Sequence, residues 1–95
     1  MSHFVYILYS QTADRYYIGE SSDTNRRIEW HNQHEFESAS TKDASDWDLK
    51  WSLECLNIEQ ARVIEKFIKS MKSRKFIEKL IDNDGTWLLE RFPAK

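Results

Sequence analysis

The chain contains one cysteine, one proline and two glycines among its 95 residues, and it has no long apolar run. A lone cysteine, Cys55, cannot form an internal disulfide, which favours a reducing, cytoplasmic setting. No apolar stretch approaches the roughly 20 residues that a membrane-spanning helix needs, and the N-terminus lacks the pattern of a secretion signal. We therefore expect a soluble cytoplasmic protein without a membrane partner.

The length and the charge set the next limits. A chain of 95 residues is large enough for one hydrophobic core and too small for two, so residues 1–95 are expected to form a single domain, and a monomer is favoured. The net charge of −2 conceals an uneven distribution, because residues 62–79 carry seven basic and two acidic residues. This basic segment either faces a polyanion or forms a solvated helix surface, and charge alone leaves both interpretations open.

Two aromatic and β-branched runs at the N-terminus predict a pair of strands. Residues 3–9 and 15–19 are separated by turn-forming residues, which predicts an antiparallel hairpin with a loop of about five residues. Tyr6 and Tyr17 can share one face of this hairpin. Whether they do share it depends on the register of the two strands, which the loop sets.

The following segment predicts a helix and then a long loop. Asp23 offers an N-cap for a helix over residues 24–33, on which Arg27 and His31 lie four positions apart and so share a face. Residues 34–46 show no hydrophobic period and contain many turn formers, which predicts a loop.

A third strand and a helix are predicted from the second half of the chain. Residues 47–55 alternate between apolar and polar side chains, which predicts a strand whose apolar face consists of Trp47, Leu49, Trp51, Leu53 and Cys55. Asn57 and Gln60 form a plausible capping pair for the helix that follows. The buried stripe of that helix is predicted to consist of Ala61, Ile64, Ile68 and Met71.

The C-terminal residues predict further helices. Ser73 is a suitable cap for a second basic helix, and Trp87 begins a short apolar segment that fits a last helical turn. Together these elements predict a small α/β (α+β) fold in which helices flank a three-stranded antiparallel sheet.

Each candidate for chemistry also has an ordinary structural interpretation. Tyr6 and Tyr17 suit cross-strand packing, and Arg27 and His31 suit a solvated helix surface. Glu65 borders the apolar stripe and needs a partner, which can be Lys69, Lys72, Arg27 or a metal ion.

The combination of these residues is more specific than any one of them. Val5-Tyr6-Ile7-Leu8 and Tyr16-Tyr17-Ile18-Gly19 precede the helical segment 26–32, which contains Arg27 and His31, and the segment 59–74, which contains Glu65. This ordered set resembles the GIY-YIG nuclease superfamily, and in particular its small, stand-alone bacterial branch. The first motif reads Phe-Val-Tyr here and keeps its tyrosine. The C-terminal asparagine of many family members has no secure counterpart, since Asn83 does not align well.

The resemblance implies hydrolysis of phosphodiester bonds with one divalent ion, Mg²⁺ or Mn²⁺. It implies that Tyr6 accepts the proton of a water molecule, that His31 takes the phenol proton, and that Tyr17 orients the water or the phosphate. Arg27 would stabilise negative charge at phosphorus and Glu65 would bind the metal ion. Gly19 would allow close approach of the substrate, and Lys69 and Lys72 would contact the DNA backbone.

Two functions from different classes follow. The first is an endonuclease of DNA repair or processing, directed by DNA structure or of low sequence specificity, because no separate recognition domain is present. The alternative is a module on the same fold that binds nucleic acid or protein without catalysis, which the net acidity favours. A metabolic enzyme has no supporting motif, since neither a phosphate-cradling glycine loop nor a cluster of metal ligands is present.

Overall fold

The computed structural model of the chain describes residues 3–22 and 46–94. The elements, in chain order, are β1 (His3–Ser10), β2 (Arg15–Ser21), β3 (Asp48–Cys55), α1 (Ile58–Met71), α2 (Arg74–Asp82) and α3 (Trp87–Arg91). The predicted helix over residues 24–33, with Arg27 and His31, lies outside the described residues, as does most of the predicted loop.

The three strands form one antiparallel sheet with β1 in the centre, β2 on one side and β3 on the other. This confirms the predicted three-stranded antiparallel sheet. β2 is two residues longer than predicted, because Glu20 pairs with Val5 and Ser21 pairs with Phe4. The hairpin loop spans residues 11–14, and Asp14 adopts a left-handed conformation with φ of 50°.

The two faces of the sheet have separate apolar clusters. The larger cluster lies between the sheet and the helices, and it includes Val5 and Ile7 of β1, Ile18 of β2, and Ile64 of α1. The smaller cluster lies on the opposite face around Tyr6, Leu8 and Trp47. Alternating side chains of β1 therefore serve two different environments, as the pleat of a strand requires.

The predicted single apolar face of β3 is wrong. The pairing of β1 with β3 shifts between Ile7, which pairs with Trp51, and Leu8, which pairs with Leu49. Lys50 is thus an extra residue on β3, and a bulge of this kind reverses which face the preceding side chains occupy. Trp47 and Leu49 consequently pack in the smaller cluster with Tyr6. Trp51, Leu53 and Cys55 belong to the larger cluster, between the sheet and the helices.

Helix α1 begins where the sequence predicts. The Asn57 side chain accepts a hydrogen bond from the backbone N–H of Gln60, at 2.8 Å, and so caps the first turn. Ala61, Ile64 and Ile68 are buried as predicted. Met71 is 43% exposed, so its assignment to the buried stripe is wrong. Met71 is exposed because it is the last residue of α1. The helix ends there, since Lys72 takes a left-handed conformation with φ of 46°.

The C-terminal helices complete the larger cluster. The Ser73 hydroxyl accepts a hydrogen bond from the N–H of Phe76, which confirms the predicted cap of α2. The predicted last turn is α3, whose Leu88 is fully buried in the same cluster as the residues of the sheet. Within residues 3–22 and 46–94, no helix is long and apolar enough to cross a membrane.

Candidate functional site

Two of the predicted site residues lie side by side on the face of the sheet that is opposite to α1. Tyr6 pairs with Gly19 across the hairpin, and the ring centroids of Tyr6 and Tyr17 are 6.3 Å apart. A β-carbon built on Gly19 would lie 2.6 Å from the Tyr6 hydroxyl oxygen and 3.0 Å from Cε2 of Tyr17. Any side chain at position 19 would therefore displace the phenol, so the glycine is what allows the Tyr6 hydroxyl to lie over β2.

Aromatic and apolar side chains fix the two tyrosines in place. Tyr6 is only 1% exposed, and it packs with the fully buried Leu8 and with Trp47. Tyr17 is half-buried, and its ring meets the Trp47 ring edge-on at 6.5 Å between centroids. The Arg15 guanidinium lies 5.8 Å from the centroid of the same tryptophan ring. The Tyr6 ring is thus a rigid part of the smaller cluster, whereas Tyr17 lies closer to solvent.

Glu65, the predicted metal ligand, lies on the other side of the sheet from the tyrosines. It lies on α1, which packs on the face opposite to the tyrosines, and its side chain is 19% exposed. Its predicted need for a partner is met by Lys69, whose Nζ is 3.7 Å from Oε1 of Glu65. Burial raises the pKa of the Glu65 carboxyl above its ordinary value, and the nearby Glu20 carboxylate raises it further, whereas Lys69 lowers it.

Glu20 is a second carboxylate close to Glu65, and no sequence motif pointed to it. It follows Gly19 on β2, so its side chain lies on the α1 face of the sheet. Its carboxylate accepts a hydrogen bond from the His3 ring and lies 3.9 Å from Nε of Arg62 on α1. Alternation along β2 is the signal that could have placed Glu20 beside the helix, but which helical residues it meets depends on how α1 docks.

These residues define one region of the surface. Gly19 and Glu20 are neighbours on an outer strand of the sheet, with the Tyr6 hydroxyl over Gly19 on one face and Glu65 near Glu20 on the other. We call the region formed by Gly19, Glu20 and Glu65 the β2 edge. The tyrosines and Glu65 therefore lie on opposite faces of the sheet, at the β2 edge.

Lys69 and Lys72 lie further along α1, away from Glu20. Both are exposed, and α1 runs antiparallel to β2, so that these lysines lie beside the start of β2 and Glu65 lies beside its end. Lys69 is held by Glu65, as described above. Lys72 forms no ion pair with any residue of the described ranges.

The donor atoms around Glu65 fit a cation that is held by few protein ligands. Among residues 3–22 and 46–94, no group of three or more His, Cys, Asp or Glu side chains is placed to hold a metal ion. A single carboxylate suits Mg²⁺ or Mn²⁺, because hard cations of this kind keep several waters and take further oxygens from a substrate phosphate. The half-buried Glu65, with a second carboxylate nearby at Glu20, offers such a ligand.

Arg27 and His31 complete the set predicted from the sequence, and both lie outside the described residues. The structure thus brings together Tyr6, Tyr17 and Gly19 on one face and places Glu65 and Lys69 on the other side of the β2 edge.

Comparisons with known proteins identify the family of the chain. The three-stranded antiparallel sheet and its helices form a small α+β domain. Residues 2–79 match the model of the GIY-YIG catalytic domain, which is most of the chain, so the chain belongs to the GIY-YIG family and nucleic acid is its expected class of substrate. It is similar in structure to the UPF0213 protein BH0048 from Bacillus halodurans, with a TM-score of 0.55 and 25% sequence identity over 100% of both chains. No curated protein sequence matches the chain.

Proposed function

We propose that the protein is a divalent-metal-dependent endonuclease that hydrolyses DNA phosphodiester bonds in DNA repair or processing. The observation that carries the proposal is the contact of the Tyr6 hydroxyl with Gly19, beside Tyr17, in a chain that belongs to a nuclease-type family. We further propose that its specificity is directed by DNA structure or is low for sequence.

Tyr6 is the proposed acceptor of the proton from the attacking water. A free tyrosine has a pKa of about 10, so a phenol accepts a proton near neutral pH only where nearby positive charge favours the phenolate. Arg27 would supply such charge, and His31 would take the proton from the phenol. Since Tyr6 is 1% exposed, binding of the substrate must uncover its hydroxyl.

Tyr17, Arg27 and Gly19 are proposed to position the phosphate. Tyr17 is more exposed than Tyr6, so its hydroxyl is better placed to orient the incoming phosphate or water. Arg27 offers a planar fork of donors that matches phosphate oxygens and stabilises the charge that develops at phosphorus. Gly19 is buried and the space beside its α-carbon is filled by the Tyr6 hydroxyl, so Gly19 would act on the phosphate through the position of that hydroxyl.

Glu65 is the proposed protein ligand of one Mg²⁺ or Mn²⁺ ion. When bound, such an ion would supply charge stabilisation at the leaving oxygen. The burial of Glu65 and the neighbouring Glu20 disfavour its ionised form in the absence of a cation, so a bound cation would relieve an unfavourable charge. Lys69 and Lys72 extend the site along α1 as contacts to the DNA backbone.

Cleavage assays with matched variants test the proposal. With Mg²⁺ or Mn²⁺ the protein should nick plasmid, flap or single-stranded DNA, and both Arg27→Ala and Glu65→Ala should remove the activity. Glu54→Ala is the matched control, because Glu54 is an exposed carboxylate on β3, away from the β2 edge. If a broad substrate panel is not cut, or is cut equally well by both variants, the endonuclease proposal is wrong.

The same assays distinguish the alternative of a binding module without catalysis. That function predicts salt-sensitive binding of nucleic acid through the basic residues of α1 and α2 and no metal-dependent turnover. The pair of carboxylates at the β2 edge favours the endonuclease, because a surface that only bound nucleic acid would be better served by cations at that position.

A further inference from the structure

A cleft lies next to the β2 edge, between the β1–β2 hairpin and the junction of α1 with α2. Its volume is about 290 Å³, close to the lower end of the roughly 300–1,000 Å³ typical of small-molecule sites. It is shallow and widely open to solvent. We call it the hairpin cleft, and its lining residues include Tyr16, Ile18, Ile68, Lys69, Lys72 and Ile77.

The floor of the hairpin cleft is apolar. Ile18 and Ile68 are buried beneath the floor, so the apolar surface that a ligand would meet comes from the half-buried side chains of Ile77 and Tyr16. Such a floor suits the flat, weakly polar face of a nucleobase. A base that is stacked and paired inside a duplex cannot reach it.

The rim of the hairpin cleft is cationic on the α1 side. Lys69 and Lys72 both line it, and within the described residues Lys72 has no acidic partner. Lys72 can therefore bind a phosphate without breaking an existing ion pair.

Arg74 forms a fixed wall of the hairpin cleft and is not a free cation. Its guanidinium donates a hydrogen bond to Asp14 at 2.7 Å and lies 5.3 Å from the centroid of the Tyr16 ring. It also lies 5.8 Å from the Tyr9 ring. These contacts hold the start of α2 against the hairpin. Arg15 also lines the cleft, but its guanidinium lies against the Trp47 ring of the smaller cluster, so the lysines are the cations nearest to a ligand in the cleft.

The hairpin cleft and the β2 edge lie on one line. Lys72 lies seven positions after Glu65, directly beyond the end of α1, which is about 10 Å at 1.5 Å per residue. A stacked strand rises roughly 3.4 Å per nucleotide, so this distance corresponds to about three nucleotides. A strand whose scissile phosphate lay at Glu65 would thus bring a nucleotide to the hairpin cleft.

We propose that the hairpin cleft binds one unpaired nucleotide of the substrate strand, with the base on the apolar floor and a phosphate at Lys72. This inference rests on the proposed nuclease function and specifies its substrate as DNA that is single-stranded on one side of the cut. Stacking of bases on aromatic side chains, a role open here to Tyr16, combined with a cationic groove is how proteins bind single strands without sequence preference.

Binding in EDTA tests the cleft without catalysis. Fluorescence anisotropy would follow a fluorescein-labelled 12-nucleotide single strand and the matching duplex. Lys72→Asn removes the cation and keeps a residue that tolerates the left-handed conformation, and Lys75→Asn is the control, because Lys75 is exposed on α2 outside the cleft. Lys72→Asn should weaken single-strand binding roughly threefold to tenfold, and Lys75→Asn by less than about twofold.

The duplex and an abasic strand provide the discriminating comparisons. The two variants should lose duplex affinity equally, because a duplex offers both lysines only phosphates. A 12-nucleotide abasic strand should bind the wild type about fivefold or more weakly than the normal strand, and Ile77→Ala should narrow that gap. Equal single-strand losses for Lys72→Asn and Lys75→Asn, or equal affinity for normal and abasic strands, would overturn the proposal. Circular dichroism melts would verify that each variant is folded.

Adding Mn²⁺ separates this inference from the proposed function. If the wild type binds single strands through Lys72 and cuts no DNA, the hairpin cleft is supported and the endonuclease proposal fails. If the wild type cuts DNA while the two lysine variants bind single strands alike, the cleft assignment fails by itself.

Discussion

The Tyr6 hydroxyl lies over Gly19, so closely that a β-carbon at position 19 would be 2.6 Å from the hydroxyl oxygen and 2.7 Å from Cζ of the same ring. Contacts this short do not occur between real atoms of these types, so one of the two groups would have to move. The ring of Tyr6 is buried and cannot shift cheaply. Glycine at position 19 and tyrosine at position 6 are therefore a matched pair.

Replacing Gly19 tests this relationship. Gly19→Ala should lower stability by about 1–3 kcal/mol, because it overpacks a tight contact, and it should displace the phenol from β2. A displacement of about 1 Å at a catalytic group can reduce the rate about 100-fold. Thermal unfolding and single-turnover cleavage of DNA would measure the two effects. Unchanged cleavage in a folded Gly19→Ala protein would show that the position of the Tyr6 hydroxyl does not matter.

Gly85 provides the contrasting variant. It has a φ of 70°, and a β-carbon there would lie 2.6 Å from Cζ2 of Trp51. Gly85→Ala should destabilise the fold by roughly 2 kcal/mol or more, because it combines left-handed strain with a clash against a buried ring. Gly85 precedes α3 and is remote from the tyrosines, so the folded fraction should retain its cleavage rate. If Gly85→Ala loses as much cleavage rate as Gly19→Ala, destabilisation alone accounts for the slower cleavage of both variants.

Tyr6→Phe separates the chemical role of the phenol from its packing. The ring remains, so the melting temperature should change little, whereas loss of a general base typically reduces a rate 100-fold to 10,000-fold. Tyr9→Phe is the control on the same strand. Its hydroxyl donates to the exposed Asp14 at 2.5 Å, on the other face of the sheet. If both variants cut DNA at the same rate, Tyr6 is a packing residue only.

The hairpin tyrosines could be predicted from the sequence, and several of their surroundings could not. Alternation within two short strands allows Tyr6 and Tyr17 to share a face, but the register that puts them there is set by the loop and is seen only in the structure. The bulge at Lys50 was invisible, because the apolar and polar residues of β3 alternate without a break in the sequence. The exposure of Met71 depends on where α1 ends, and the contacts of Glu20 depend on how α1 packs on the sheet. Local sequence patterns predict neither.

The pKa of Glu65 predicts how stability depends on pH. Because the pKa is raised in the folded protein, above an ordinary value of 4.5, the folded state binds more protons than the unfolded state between the two values. Stability should therefore fall as the pH rises through that window and stay lower above it. Glu65→Gln should remove this loss, so its melting temperature should exceed that of the wild type at pH 7–8. A lower melting temperature with the same pH dependence would contradict the prediction.

Divalent ions should offset the loss of stability that the ionised Glu65 side chain causes. An ion that binds only the folded protein stabilises it by mass action, by about 2.7 kcal/mol at 100 times its dissociation constant. Mn²⁺ or Mg²⁺ should accordingly raise the melting temperature of the wild type and of Glu54→Gln, and leave that of Glu65→Gln unchanged. An equal rise in all three proteins would place the ion elsewhere.

A double-mutant cycle of the cleavage rate tests most directly whether Tyr6 and Glu65 act on one phosphodiester bond across the β2 edge. Single-turnover rates in Mn²⁺ would be compared for the wild type, Tyr6→Phe, Glu65→Gln and the double variant. Groups that act as a unit are strongly non-additive, so the double variant should be barely slower than the slower single variant. If the two losses multiply, the residues act independently, and if neither substitution slows cleavage, the β2 edge is not the active site.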